Sequence, residues 1–256
     1  GTMPDFDYQT DVLIVGSGGA ALVGALVVKE HGFEPLVVEK TAFVGGTTAW
    51  SGGGLWIPNN PVSRRAGLRD SFEEALRYMN EVIGDVGPAS SPERRRAFLE
   101  YGPQMVEFLE RLGFRWRPSL GYPDYYPDKP GGSTFGRSIE GALFDGRQLG
   151  VWLARLHRYP NLPSVPLHTN EASQFALVLR TPNGALTAAR VVWRLLSYRL
   201  RGRVPLTLGA SLIGQLLSLC LQRSIPIWLE SPLVELLTED GAVVGAVVQH
   251  QGRPVR

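Results

Sequence analysis

Cysteine is nearly missing: Cys220 is the one such residue in 256. That excludes an internal disulfide and a cysteine-based zinc site. In its apolar, helical-looking run, with no partner group nearby, Cys220 reads as a buried structural residue and not a nucleophile. Histidine is scarce as well, and the four present show no ligand spacing, so no metal is assigned. Charge is nearly balanced, with 26 basic against 24 acidic residues, which gives no argument for a nucleic-acid partner. The first ten residues have no basic n-region and no apolar h-region, so no secretory leader is read there and a cytoplasmic location is expected. Residues 204–222 carry no charge, over a length that would just span a bilayer. Thr207, Ser211, Gln215, Ser218 and Gln222 interrupt that run, and Gly209 and Gly214 weaken it as an isolated helix. A helix buried against a sheet is expected instead.

What is present is glycine, concentrated early. The run "DVLIV" (11–15) has the length and continuous apolarity of a parallel strand buried on both faces. "GSGGAALVGALVVKEHG" (16–32) turns and becomes a helix of small residues that stops at Gly32. "EPLVVEK" (34–40) is a second strand. Within the first turn, Gly16-x-Gly18-x-x-Ala21 suits a pyrophosphate at a helix N-terminus. Gly16 permits the tight turn, Gly18 lets backbone approach the phosphates, and Ala21 and Ala25 let the helix pack closely on its strands. Glu39 follows about twenty residues on, where an acidic group can accept hydrogen bonds from a ribose. Strand, turn, helix, strand and acid together predict a dinucleotide site, without separating NAD from FAD.

A second cluster, "GGTTAWSGGGLW" (45–56), follows at once. A chain that only borrows NAD rarely needs such a cluster beside the ribose strand. Trp50, Leu55 and Trp56 read as residues to be buried, which argues against a loose surface loop.

Beyond residue 60 the character changes. "RDSFEEALRYMNEVIG" (69–84) is an amphipathic helix that Asp70 or Ser71 can cap. "SSPERRRAFLEYG" (90–102) starts a helix at Ser91–Pro92, and Pro103 is expected to open another. Residues 117–138 read as a long loop of Gly, Pro and Tyr, and 159–172 as another irregular connection. "TAARVVWRLLSYRLRGR" (187–203) is helical with arginines at shifting positions. It reads either as a solvated helix whose arginines lie over packed surface, the preferred reading, or as one that presses an apolar face on a membrane surface. Residues 225–230, 233–240 and 241–252 read as short strands, turning at Glu239-Asp240-Gly241.

"GSGGAA…VVEK…FVGGTTAWSGGGLWIPNN" resembles the flavoprotein family of fumarate reductases and 3-ketosteroid dehydrogenases, and "SGGGLWIPNN" is most similar to the Δ1-dehydrogenases in it. The resemblance continues through "GDVGP" (84–88), "YPDYYPDKPGG" (122–132) and "SPLVELLTEDGAVVGAVV" (231–248). It implies an α/β fold: a Rossmann-like FAD-binding domain from 1–60 and 204–256, discontinuous and incomplete, around a mainly helical and irregular substrate-side segment, 61–203. It implies bound FAD, with Gly16, Ser17, Gly18, Gly19 and Ala20 at the pyrophosphate and Glu39 and Lys40 at the adenosine ribose. Gly46, Thr47 and Thr48 would continue along the phosphates. Ser51, Gly52, Gly53 and Gly54 would lie against the isoalloxazine ring, and backbone near Leu233 would reach the adenine.

The implied reaction draws a proton and a hydride from a steroid or other apolar ketone, with an external electron acceptor to follow. Tyr125 matches the family's assisting tyrosine, and Tyr126 is its competitor. The family's chains run on well past the point where this one stops. Its base tyrosine, its ketone-holding groups and its closing glycine motif have no counterpart here. An N-terminal portion, completed by a C-terminal half and with an unpaired sheet edge, is expected. A Δ4-steroid dehydrogenase, a fumarate-type reductase or a non-catalytic FAD-binding module are the other readings.

Overall fold

The computed structural model describes residues 5–158 and 165–256, which form two compact units. Of the described residues, one unit comprises 5–51, 146–158 and 212–256, the other 52–145 and 165–211. Of the irregular connection expected at 159–172, residues 159–164 lie outside the described residues. The rest runs into a helix at Thr169–Phe175.

In the first unit, strand β1 (Val12–Val15), helix α1 (Gly19–Glu30) and strand β2 (Pro35–Val38) follow one another as the pattern predicts. β1 pairs in parallel with β2 from Val12↔Pro35 to Val15↔Val38, and β2 pairs in parallel with Ile227–Trp228 on its other side. β2 is therefore central and buried at all four residues. β1 corrects the expectation of burial on both faces: Val12 is 36% exposed and Val15 55%. The order β1, β2, Ile227–Trp228 puts β1 at the edge, and among the described residues no strand lies outside it. α1 buries Leu22, Ala25 and Leu26, and it ends where Gly32, at φ +82°, donates its N–H to Lys29 O.

The uncharged run becomes a helix at Leu208–Gln222, buried from Ser211 to Cys220. It packs on α1, with Cys220 Sγ 3.9 Å from Leu22 O. Among the described residues, no helix is long and apolar enough to cross a membrane. An antiparallel sheet of Leu233–Glu239, Ala242–His250 and Arg253–Val255 completes the unit. Its hairpin turns on Asp240 and Gly241, both at positive φ (49° and 80°), the geometry that matches the twist of the flanking strands.

In the second unit a small antiparallel sheet, Leu55–Trp56 beside Ser138–Gly141 beside Trp116–Pro118, is covered by helices. Phe72–Ile83 is capped by Ser71, whose Oγ accepts the Glu74 N–H at 3.1 Å, and Asp70 is left for another task. Ser91 caps the next helix as expected, but Pro103 does not divide it: Pro92–Leu112 is one element. Gly102 precedes that proline, so no Cβ meets the pyrrolidine ring. Leu99, Val106 and Leu109 are buried on either side of it and hold the two halves in line. A Cβ on Gly102 would itself meet Ile57 Cγ2 at 3.1 Å. The arginine-rich helix runs Pro182–Leu200, with Thr181 as cap and Pro182 in its first turn.

Candidate functional site

Two glycine loops meet in the first unit. Gly16 sits at φ +101° and donates its N–H to Val38 O at 2.7 Å. A Cβ there would find nothing within 4 Å, so backbone conformation and not crowding calls for glycine. Gly18 caps α1 in extended conformation with no side chain to offer, and the first turn carries no acidic residue. Gly19 N–H donates to Thr48 Oγ1 at 3.2 Å, and a Cβ on Gly46 (φ +51°) would lie 3.9 Å from Gly18 Cα. The loops at 16–20 and 45–48, read separately from the sequence, thus share one place. They surround a helix terminus whose N–H groups and partial positive charge suit an anion.

Ser17 is buried between them. Its hydroxyl donates to Glu39 Oε2 at 2.5 Å and accepts the Gly45 N–H at 3.1 Å. Thr41 N–H donates to Glu39 Oε1 at 3.0 Å, while the Glu39 backbone bonds Trp228 O and the Ser231 N–H. The carboxylate is held from within the fold, yet each oxygen retains a lone pair for a further donor. Lys40 beside it is exposed, as are Ala20 and Thr47.

His157 is the group sequence reasoning missed. Its Nδ1 lies 2.9 Å from Gly46 O and donates to it, its backbone N–H bonds Val44 O, and its ring stacks on Phe43 and tilts against Trp50. It lies 111 residues from Gly46, and no local signal could have found it. Trp50 itself is 39% exposed, because His157 covers only part of it. Ser51 Oγ donates to Thr48 O at 2.7 Å. Leu233 is half-buried and packs on the cluster of Leu36, Val38 and Val248.

Gly52, Gly53 and Gly54 belong to the second unit. Gly52 and Gly54 are open, but a Cβ on Gly53 (φ +67°) would fall 2.4 Å from Leu208 C and 2.5 Å from Gly209 N. Glycine at 53 is therefore demanded by the fold itself.

The long loop of the second unit is built on a buried ion cluster. Arg137 forks Asp70, with Nε and Nη2 each 3.0 Å from an oxygen, and reaches Asp124 Oδ2 at 2.9 Å. Asp124 also accepts from Trp56 Nε1 (2.8 Å) and Ser133 N–H (2.9 Å). Tyr126 N–H donates to Tyr78 Oη at 3.1 Å, and the Arg137 guanidinium lies over the Tyr78 ring. Tyr125 and Tyr126 thus ride on a rigid base with their rings in the open, 86% and 56% exposed.

A second buried polar cluster surrounds the helix start at Thr169. Thr169 N–H and Oγ1 both donate to Glu140, whose carboxyl is raised above the usual range by burial against those bonds. Burial, and then the charge of Arg117, pushes His168 down to about 4; its Nδ1 has no hydrogen-bond partner. Burial alone would raise Glu171, but the two Arg194 bonds at 2.9 Å and the His168 N–H hold it at about 2. Among the described residues, no group of His, Cys, Asp or Glu could hold a metal ion.

The chain is 40% identical over 249 residues to a 3-oxosteroid 1-dehydrogenase of Mycobacterium tuberculosis, covering 94% of this chain and 43% of that protein. It is 32% identical over 257 residues to the 4-oxocyclohex-2-ene-1-carboxylate 5-dehydrogenase of Sinomonas cyclohexanicum, covering 95% and 42%. The solved 3-ketosteroid Δ1-dehydrogenase of Sterolibacterium denitrificans, in complex with 1,4-androstadiene-3,17-dione, superposes with a TM-score of 0.84 at 35% identity, covering 96% of this chain and 45% of that one. The chain thus spans less than half the length of the relatives it matches. A family model described as an FAD binding domain matches residues 11–256, and the chain belongs to that family.

Proposed function

We propose that this chain is the FAD-binding portion of a dehydrogenase that introduces a C1–C2 double bond into a 3-ketosteroid. The observation that carries the reading is the meeting of the 16–20 and 45–48 loops around a helix N-terminus whose cap residue, Gly18, offers no side chain, in a chain of this family. The parallel order β1, β2, Ile227–Trp228 supports a Rossmann-like sheet, with 1–60 and 204–256 as the cofactor side and 61–203 as the start of the substrate side.

Gly16, Ser17, Gly18, Gly19 and Ala20 would form the pyrophosphate cradle at the helix N-terminus, with the Gly16 and Gly19 N–H groups shaping the turn through Val38 O and Thr48 Oγ1, and Gly46, Thr47 and Thr48 would close over it. Glu39, oriented by Ser17 and Thr41, accepts from the ribose, and Lys40 flanks it. Leu233 borders the adenine. Ser51, Gly52, Gly53 and Gly54 lie along the ring system. Bound FAD supplies the two-electron oxidant. Tyr125, on the loop anchored by Arg137, assists removal of the proton beside the ketone, with Tyr126 as the alternative. The base and the ketone-binding groups lie outside this chain, so it is inactive without a C-terminal half, and an external acceptor completes the cycle.

A second reading is favoured by the Sinomonas relative: the same oxidation beside the ketone of a smaller, acidic ring. Visible absorption of the purified, desalted chain before and after excess FAD tests the cofactor side. A retained flavin band is expected, and NAD binding with FAD rejected overturns the reading. Supplying the C-terminal half and comparing a 3-ketosteroid with a cyclohexanone carboxylate decides the substrate. Steroid turnover that falls at least tenfold in Tyr125→Phe is expected.

A further inference from the structure

We propose that the exposed face of the Pro182–Leu200 helix is a docking surface for an anionic lipid bilayer. Leu186, Trp193 and Leu200 recur at intervals of seven, so they lie almost in line along one side of the helix. They are 50%, 69% and 84% exposed, with Leu196 beside them at 48%. The opposite face carries the packing: Val191 is buried, and Gly184 backs so closely on Leu177 O that a Cβ would sit at 2.3 Å. The turn before the helix adds Leu179, 95% exposed.

Charge identifies the occupant. From residue 172 to 229 there is no Asp or Glu, while Arg180, Arg190, Arg194, Arg199, Arg201 and Arg203 fall between 172 and 203. Arg194 is bound to Glu171, and Arg203 lies 4.0 Å from Asp145. Arg180, Arg190 and Arg199 are exposed around the apolar stripe. An apolar ridge centred on a tryptophan and rimmed by arginines is the pattern of a helix lying in the interface, with guanidinium groups at the phosphate level and the ridge among the upper acyl chains. A protein partner of ordinary surface would leave those arginines without matching charge. Because no described helix could cross a bilayer, the contact is peripheral. The inference goes beyond the proposed reaction and does not depend on it.

Flotation of the 256-residue chain with vesicles of phosphatidylcholine, alone or mixed with phosphatidylglycerol, tests it. Binding is expected to the mixed vesicles, weakening with salt, and at least about fivefold weaker to the neutral ones. Arg190→Gln with Arg199→Gln lowers affinity for the mixed vesicles about thirtyfold. Trp193→Ser with Leu200→Ser abolishes binding while the circular dichroism is unchanged. Trp193→Phe keeps binding but removes the vesicle-induced blue shift of the emission. No binding by the folded chain, or binding indifferent to the serine pair, overturns the proposal. So does a self-associating chain that the serine pair renders monomeric, since the face then belongs to a second copy.

Discussion

The Ser17 hydroxyl stands 2.5 Å from Glu39 Oε2 and 3.1 Å from Gly45 N, joining three loop segments through one oxygen. Its donor goes to the carboxylate that ends the second strand, and its acceptor takes the first N–H of the second glycine cluster. Both loops of the candidate site are therefore positioned by one small side chain that is 1% exposed. Removing that oxygen leaves a buried carboxylate oxygen and a buried N–H without their partner.

Ser17→Ala is accordingly expected to lower stability by about 2 kcal/mol, the cost of stranding a charge-assisted bond. FAD affinity should fall by more than the change in folded fraction explains, because the two loops lose their common register. Urea unfolding and fluorescence titration with FAD check the two effects separately. An alanine variant unchanged in both would show that Glu39 and Gly45 are held by other contacts.

Arg137 makes a comparable case in the second unit. Its side chain and those of Asp70 and Asp124 are all nearly inaccessible. Arg137→Met would leave two buried carboxylates facing each other without a cation, at a cost of about 3–5 kcal/mol. Arg137→Lys should recover only part of this, since an ammonium cannot fork Asp70 while reaching Asp124. Thermal unfolding reads the loss. Limited proteolysis of 122–136 reads the release of the loop that carries Tyr125 and Tyr126.

The cluster at Thr169 predicts a pH dependence. With its pKa held at about 4 in the fold, against 6.5 when free, His168 stays neutral in the native chain while the unfolded chain takes up a proton. Its contribution is present above the free value and is lost as pH falls through 6.5 toward 4. Between pH 7 and 5 the loss is about 2 kcal/mol. Glu140, raised by burial, acts in the opposite sense, contributing at low pH and losing that contribution as pH rises above 4.5. Glu171, lowered, matters only below 4.5. His168→Gln should flatten the fall in stability between pH 7 and 5 by about that amount, measured by urea unfolding at the two pH values. An unaltered slope would mean that His168 titrates normally.

Much of this was legible in the residues because its causes are local. The first glycine turn, Ser91 and Pro92 at a helix start, and Asp240-Gly241 in a hairpin each follow from the backbone needs of a few neighbours. Pro103 misled for the same reason: local rules break the helix there, and the burial of Leu99 and Val106 from distant partners overrides them. Continuous apolarity in "VLIV" described a strand able to be buried, but an edge position in the sheet decides whether it is. Asp70 could be read only as a possible cap, because Arg137 lies 67 residues away. His157 and the Gly46 carbonyl are related by tertiary structure alone.

Glycine at 53 and at 24 should respond in opposite ways to the same substitution. Gly53→Ala forces a methyl group onto the Leu208–Gly209 peptide at a positive φ, and is expected to cost about 3 kcal/mol or more. Gly24 sits inside the first helix with nothing within 4 Å of where a Cβ would be. Gly24→Ala should therefore stabilise the chain by up to about 1 kcal/mol through helix propensity. Thermal midpoints of the two variants against the parent check the pair. A destabilising Gly24→Ala would mean that another group occupies that face of the helix.

Cys220 offers a direct reading of how tightly the first unit is closed. Burial pushes its thiol up to about 12, and its Sγ faces Leu22 O across the packed pair of helices. The thiolate is the reactive form, so at neutral pH it is both scarce and unreachable. Native chain should resist a disulfide reagent that labels it at once in denaturant. Because Cys220 is the chain's one cysteine, the labelling rate then reports opening of the Leu208–Gln222 helix from α1. Leu26→Ala, which removes a fully buried contact from α1, should cost about 2–5 kcal/mol and raise the slow native labelling rate at least tenfold. Prompt labelling of the folded parent would place the thiol at the surface and contradict this packing.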